Sequence, residues 1–294
     1  MNLSSPSLAV TGATGAIGGA VARHLAQLGV PQRLLVRSVD KAPYLEKAEV
    51  FPFSYSDRSA SEQALYGAKT LFMISASESG ERIHQHRTFI DAAKTAGIKH
   101  IIYTSFISAA PDATFTLARD HYLTEQYIQE SGFDYTFLRD SFYMDFMDAL
   151  VGEDGIIRGP AGDGRVAIVA RADVARAASV ILRDPSAHRN ITYDLTGPEA
   201  LTLTEIAQIL ATAHGRAVKF QNETVAEAYE SRKAWAAPNW QNDAWVSTYT
   251  AIASGEMARI SQDIETITGQ RPMTLAQFQS MSPESAPKDR INNN

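Results

Sequence analysis

The stretch 7–29 constrains the fold more than any other part of the chain. Three apolar residues (8–10) lead into Thr11, and an apolar helical pattern later ends at Gly29. Between them, glycine recurs at every third position: Gly12, Gly15 and Gly18. A buried strand that turns sharply into a helix points backbone N–H groups at a phosphate, and a Cβ in the turn would block a dinucleotide diphosphate. The stretch predicts a dinucleotide-binding turn; a tight turn without a ligand is the alternative, because GxxGxxG differs from GxGxxG.

Arg37 stands at the end of the second predicted strand, 19 residues beyond Gly18. In a dinucleotide fold an acid at this place binds the ribose 2′-hydroxyl of NAD, whereas an arginine binds the 2′-phosphate of NADP. Arg37 therefore favours NADPH as the cofactor, and Lys41 adds positive charge for the same phosphate. Asp40 lies too far past the strand to act as the acid. An exposed arginine that binds nothing is the alternative.

Apolar runs of strand length alternate with helical patterns through the first half of the chain. Strands are predicted at 33–36, 49–53, 70–74, 100–104 and 134–138, and helices up to Gly67, at 81–96 and at 114–130. This alternation is typical of βαβ units with parallel strands. We therefore predict an α/β fold with a doubly wound, parallel Rossmann sheet.

The pattern changes after Arg139, where glycines crowd residues 152–164. A helix at 172–182, a strand at 191–195, a helix at 204–213 and then two or three helical pieces are predicted. We expect an NADP-binding Rossmann domain at 1–140 and a smaller, mostly helical substrate domain at 141–294, of which 166–196 returns to the sheet. Trp235, Trp240 and Trp245 are spaced by five, which favours core or lid packing over one stacking platform. The tail 287–294 is expected to be disordered.

Composition excludes several classes of function. The 294 residues include no cysteine, so disulfides, thiolate metal sites and cysteine nucleophiles are ruled out. A net charge of −6 argues against a nucleic-acid partner.

The N-terminus shows no signal peptide and no apolar run long enough to span a membrane, so we expect a cytoplasmic protein with no membrane partner. His84 and His86 point in different directions on a helix, which disfavours a metal site.

Six segments carry a resemblance to a known family: TGATGAIG, LLVR, FMISASESGERIHQHR, AAKTAGIKHIIYTS, LRDSFY and RADVARA. They resemble the NmrA-like branch of the atypical short-chain dehydrogenases, and within it the bacterial type 2 NADPH:quinone oxidoreductases and triphenylmethane dye reductases. The similarity covers nearly the whole chain and is strongest over 8–180. It implies an active site between a Rossmann domain and a small C-terminal substrate domain. The sequence does not determine the oligomeric state, and a homodimer stays open.

The resemblance also implies roles for individual residues. The diphosphate would be held by Gly12, Ala13, Thr14, Gly15, Ala16 and Ile17. The cofactor cleft would be lined by Ser75, Ala76 and Ser77, and the nicotinamide would meet Ser141, Phe142 and Tyr143. Arg171 matches a recurrent arginine with either a cofactor-binding or a structural role. Asp140 stands where relatives commonly carry asparagine.

The usual catalytic set of a short-chain dehydrogenase is incomplete in this chain. Ser105 follows the predicted strand and Tyr122 lies in the next helix, but the fourth residue after the tyrosine is Gln126 rather than lysine. That lysine lowers the pKa of the tyrosine so that it can exchange a proton with an alcohol. Its absence disfavours alcohol dehydrogenation and leaves the catalytic residues unassigned. Tyr229 and Lys233 repeat the spacing in the C-terminal region, which we interpret as coincidence.

A quinone or cationic dye needs no dedicated acid, because its ring is already electrophilic and solvent can supply the proton. Aromatic residues suited to a flat acceptor are Phe106, Phe142, Tyr143 and Phe146, although core packing explains each one equally well. His121 is similar to a histidine in relatives and is a candidate to hydrogen-bond the acceptor oxygen. We predict an NADPH-dependent oxidoreductase acting on a small-molecule acceptor; the alternative is a non-catalytic regulator that senses NADP(H). A nucleotide-sugar epimerase is least favoured, because it needs the tyrosine and lysine pair.

Overall fold

The structure is a computed structural model that describes residues 6–281. Its strands are β1 (Leu8–Thr11), β2 (Gln32–Val36), β3 (Ala48–Pro52), β4 (Thr70–Met73), β5 (His100–Phe106), β6 (Asp134–Asp140), β7 (Ile156–Gly159), β8 (Arg165–Val166), β9 (Ile191–Leu195), β10 (Leu201–Thr202) and β11 (Lys219–Asn222). Its helices are α1 (Ala16–Gln27), α2 (Arg58–Leu65), α3 (Arg82–Ala96), α4 (Thr116–Glu130), α5 (Arg171–Arg183), α6 (Leu203–His214), α7 (Val225–Arg232), α8 (Asn239–Ala253), α9 (Asp263–Thr268) and α10 (Leu275–Ser280). The predicted disordered tail lies outside the described residues. Among those described, no helix is long and apolar enough to cross a bilayer.

A seven-stranded sheet forms the centre of the molecule, in the order β3-β2-β1-β4-β5-β6-β9. Every neighbouring pair in it is parallel. β1 and β2 are buried along their whole length, as expected for parallel strands that helices cover on both faces. The predicted doubly wound Rossmann sheet is confirmed. The strand order reverses between β1 and β4, and ligands of such sheets bind where the order reverses.

Two apolar cores flank the sheet. On one face, α1 and α5 pack together over side chains such as Val10, Leu34 and Ile181. On the other face, α2, α3 and α4 cover side chains such as Leu71 and Phe89. Helices therefore cover both faces of the sheet.

Residues beyond 141 contribute both to the sheet and to a third core. β9 pairs with β6 and completes the sheet at that edge. The third core lies among α4, α6, α8 and α10 and the short strand pairs β7–β11 and β8–β10. The division of the chain at residue 140 stays a prediction.

The observed elements differ from the predicted ones at two places near the site. β5 and β6 run to Phe106 and Asp140, two residues past their predicted ends, because they pair along their full length. Ser105, Phe106 and Asp140 therefore lie within the sheet. In the C-terminal part, the four short strands β7, β8, β10 and β11 were missed, since strands this short show no pattern of their own. Four helices rather than two or three follow Gly215.

Candidate cofactor and acceptor site

The turn between β1 and α1 needs glycine at two positions for packing alone. Gly12 has φ +65°, a left-handed conformation that L side chains rarely adopt. A Cβ on Gly18 would lie 2.3 Å from the carbonyl oxygen of Gly12. These two glycines let α1 lie directly against the turn.

Gly15 is different, because the fold itself does not require a glycine there. Its φ is −99°, and a Cβ would meet only the Gly12 oxygen, at 3.4 Å. α1 has no side-chain cap at Gly15, so the amides of Ala16 and Ile17 lack partners within the helix. An open space in front of uncapped helix amides fits a diphosphate. The close approach of a diphosphate is therefore the requirement that explains a glycine at position 15.

A cleft of about 580 Å³ runs along the carboxyl ends of the central strands. The predicted site residues that line it are Gly12, Thr14, Gly15, Ala16, Ile17, Arg37, Ser75, Ala76, Ser77, Tyr143 and Arg171. Ala13 does not line it, because its side chain is buried in the core beside the sheet. Ser141, Phe142, Phe106, Phe146 and His121 are also outside the cleft lining, and their positions are described below.

Arg37 marks one end of the cleft. It is exposed directly after β2, and its side chain forms no hydrogen bond or ion pair with any other residue in 6–281. Lys41 lies close by in chain order, in a short turn formed by residues 39–41. The guanidinium of Arg37 is therefore available to a phosphate at this end of the cleft.

The loop 75–77 is held against the cleft by two buried side chains. The amide of Ser75 donates to Thr104 Oγ1 and the amide of Ala76 donates to His86 Nε2, both at 2.9 Å. Burial, and secondarily the charge of Arg82, lower the pKa of His86 to about 3, so its ring is neutral and accepts. The other ring nitrogen lies 2.9 Å from Thr124 Oγ1. Both ring nitrogens of His86 thus contact protein groups, and its role is to hold the loop in place rather than to bind a metal ion.

A buried carboxyl, that of Asp140, lies behind the other end of the cleft, where Tyr143 is part of the lining. The Tyr143 hydroxyl donates to Asp140 Oδ2 at 2.7 Å. Asp140 is fully buried, and burial raises its pKa to about 8. Burial and then the neighbouring Asp140 raise the pKa of Tyr143 well above its usual value. Within the described part of the chain, Asp140 Oδ1 and Ser141 Oγ are buried without a hydrogen-bond partner. Asp140 is therefore largely protonated at neutral pH, and Tyr143 is a poor acid.

Arg171 and Phe146 form an open platform beside this carboxyl. The guanidinium of Arg171 lies 4.1 Å from the centroid of the Phe146 ring and 5.1 Å from that of Tyr143. Its backbone amide donates to Asp145 Oδ2 at 3.1 Å, which ties the start of α5 to the segment carrying Phe146. Phe146 is 39% exposed. A flat ring and a permanent positive charge therefore lie together at this end of the site.

The remaining predicted acceptor residues form a packed cluster. The rings of Phe106, Phe115 and Phe142 lie with centroids 4.9 to 5.3 Å apart. His121 lies against Phe106 and has its Nδ1 2.9 Å from the hydroxyl of Tyr103. Burial, followed by the charge of Arg82, lowers the pKa of His121 well below its usual value, so its ring is neutral. The acceptor roles of Phe106, Phe142 and His121 stay predictions.

Glu125 is a site-proximal residue that sequence reasoning missed. Its Oε1 accepts from the Ser105 hydroxyl at 2.5 Å, and its two oxygens accept from the guanidinium of Arg139 at 2.9 and 2.6 Å. Ser105 is thus bonded to a buried carboxylate rather than aimed at a substrate. The available signal was the spacing from His121, because residues four apart share one helix face.

No tyrosine and lysine pair serves the site within residues 6–281. Tyr229 donates to Asp243, whereas Lys233 pairs with Glu230, so the two ends of that motif have different partners. Tyr122 has Gln126 four residues later on α4. Proton transfer by a tyrosine whose pKa is lowered by lysine is therefore not available here.

A parallel sheet with uncapped helix amides at the point where its strand order reverses defines a Rossmann-type dinucleotide-binding protein. More particularly, the chain belongs to the NmrA-like family, whose model matches residues 4–251. The predicted family is confirmed.

Three relatives cover almost the whole chain. Quinone oxidoreductase 2 of Escherichia coli is 34% identical over 92% of this chain and 96% of its own, and its crystal structure with NADPH matches with a TM-score of 0.84 over 93% of this chain and 98% of its own. NAD(P)H azoreductase of Xenophilus azovorans is 31% identical over 92% and 95%. The Citrobacter triphenylmethane reductase, solved with NADP(H), matches at 33% identity with a TM-score of 0.82 over 93% and 99%.

Proposed function

We propose that this protein is an NADPH-dependent oxidoreductase that reduces a quinone or a similarly flat, electrophilic acceptor. The observation that carries the proposal is the single cleft with uncapped helix amides and Arg37 in one part and Tyr143 and Arg171 in another. The reductases named above are 31 to 34% identical over most of the chain, which favours an enzyme over the NADP(H)-sensing regulator.

The residues present fit the cofactor. The amides of Ala16 and Ile17 would hold the diphosphate, and Arg37 would hold the 2′-phosphate. This assignment explains the open space at Gly15, which the fold itself does not need. When bound, NADPH supplies a hydride from its nicotinamide ring.

The chemistry left to the protein is positioning and charge. Tyr143 and Ser105 both donate to carboxyl groups, so neither is free to act as an acid. An acceptor lying on Phe146 would have the guanidinium of Arg171 beside it, where a positive charge stabilises the oxygen anion that forms as a quinone is reduced. Solvent then supplies the proton at the oxygen.

The experiment is a turnover assay with purified protein, NADPH and three acceptors: a naphthoquinone, an azo dye and a triphenylmethane dye. We expect that at least one of the three acceptors causes a loss of NADPH absorbance that does not occur without it. NADPH binding without acceptor-dependent oxidation would overturn the proposal and favour the regulator. A homodimer, a cytoplasmic location and the absence of a nucleic-acid partner stay predictions.

A further inference from the structure

A second cavity lies in the C-terminal part of the chain. Its volume is about 660 Å³, and none of its lining residues lines the cofactor cleft. Its walls come from residues 149–152, β7, the end of α7 with the turn after it, and α8. Sites for small molecules commonly measure about 300 to 1,000 Å³, so the cavity is large enough to hold one.

Three aromatic side chains dominate the walls. Trp235 and Trp245 meet edge to face with centroids 5.2 Å apart, and Tyr249 lies one helical turn after Trp245. Tyr249 packs flat on Gly159, where a Cβ would come within 2.3 to 2.5 Å of ring atoms. Trp235 is 63% exposed. A large ring exposed next to two others is a surface that an aromatic ligand would cover.

The charges around this cavity are internally compensated. The buried guanidinium of Arg232 lies 5.2 Å from the Tyr249 centroid and pairs with Glu223 at 3.2 Å. Arg158 pairs with Asp154 at 2.5 Å. Each lining guanidinium therefore already has its own carboxylate, and a ligand would not need a charge to bind.

We propose that this cavity binds planar, uncharged polycyclic aromatic molecules at a site separate from the cofactor cleft. The tryptophan rings provide the stacking surface. The guanidinium of Arg232 is held against Tyr249 and also donates to the carbonyl oxygen of Arg158, so this wall is rigid. The proposal does not rest on the proposed reductase function, because no cleft residue takes part in it.

The test is calorimetric titration of the full chain with 2-naphthol, an uncharged two-ring probe that is not an electron acceptor. We expect saturable binding that is unchanged by saturating NADP⁺. Trp235→Ala should weaken it at least about tenfold, whereas Trp235→Phe keeps a stacking ring and most of the affinity. Trp240→Ala is the matched control, because Trp240 lies on α8, as Trp245 does, but does not line the cavity. It should bind normally.

Other outcomes would overturn the proposal. One is the absence of saturable binding; another is binding that survives Trp235→Ala but is lost in Phe146→Ala, which would place the probe at the acceptor platform. Reduced quinone turnover in Trp235→Ala would also count against a separate site. The titration involves no turnover, so a failure of the reductase proposal would leave its result unaffected.

Discussion

The two ends of the cofactor cleft are built in different ways. At the glycine turn, the shape is set by the backbone: Gly18 packs on the Gly12 carbonyl, and the loop at Ser75 is held through its amides. At the acceptor end, side chains hold side chains, with Arg171 on Phe146 and Tyr143 on Asp140. Substitutions at the glycine turn should therefore reduce stability or NADPH binding. Substitutions at the acceptor end, which comprises Asp140, Tyr143, Phe146 and Arg171, should instead change the pH dependence of stability or the KM for the acceptor.

At a single fixed pH, the largest loss of stability is expected at Gly18. In Gly18→Ala the new Cβ has only backbone atoms as neighbours, at 2.3 to 2.7 Å, so α1 must shift away from β1. We expect a loss of about 3 kcal/mol in the free energy of unfolding, measured by urea denaturation. A change below about 1 kcal/mol would contradict the described packing.

Gly15→Ala is the matched control, because its Cβ would make only an ordinary contact. Its stability should stay close to that of the parent. NADPH binding, measured by calorimetry, should nevertheless weaken at least about tenfold, since the Cβ would stand where the diphosphate approaches. Unaltered NADPH affinity would remove the argument that Gly15 serves the ligand.

Arg37→Ala should affect one cofactor and not the other. Loss of a charge-assisted contact with the 2′-phosphate is worth about 2 kcal/mol, or roughly 30-fold in the Kd for NADPH. Binding of NADH, which lacks that phosphate, should change little. Lys41→Ala is the comparison and should cost less, because Lys41 is not part of the cleft lining. Equal losses for both cofactors would contradict the assignment.

Asp140→Asn should change how stability depends on pH. The pKa of Asp140 is raised by burial to about 8 in the folded state, against about 3.9 when unfolded. Between these values the unfolded chain releases a proton that the folded chain keeps, so rising pH destabilises the parent. Relative to Asp140→Asn, the parent should lose up to about 1.4 kcal/mol per pH unit from about pH 4 to 8. Urea denaturation of both proteins at several pH values measures this.

Tyr143→Phe provides the control for that slope. The Tyr143 hydroxyl lowers the pKa of Asp140 by donating to it, so its removal should keep the slope and extend it to higher pH. Parallel stability curves for the parent and Asp140→Asn would show that the carboxyl titrates normally and would contradict the described burial.

The backbone-built end was the more predictable one. Local spacing predicts the positions of Gly12, Gly18 and Arg37, because the strand, turn and helix that carry them follow one another directly in the chain. The buried strands were also evident, since apolar runs bounded by glycine need no distant partner to be recognised.

The acceptor end depends on contacts that spacing does not encode. Asp140 lies inside β6 only because β5 and β6 pair as far as Phe106 and Asp140. The bond between Ser105 and Glu125 joins a strand to a helix and depends on side-chain conformation. The second cavity brings Trp235 and Trp245 together from two different elements, a contact that a five-residue spacing of tryptophans did not suggest.

The smallest effect is expected at the platform itself. Phe146→Ala removes a half-exposed ring on which an acceptor would stack, a contact worth about 1 kcal/mol, or roughly fivefold in the KM for a quinone. The Kd for NADPH and the stability should hardly change, because the ring is not part of the core. Tyr44→Ala, which removes a ring that is 99% exposed and outside both cavities, is the control. An unchanged KM in Phe146→Ala, or an equal rise in Tyr44→Ala, would mean that the acceptor does not lie on Phe146. The acceptor would then bind to other residues, and the comparison between the two ends of the cleft would have to be made with those residues.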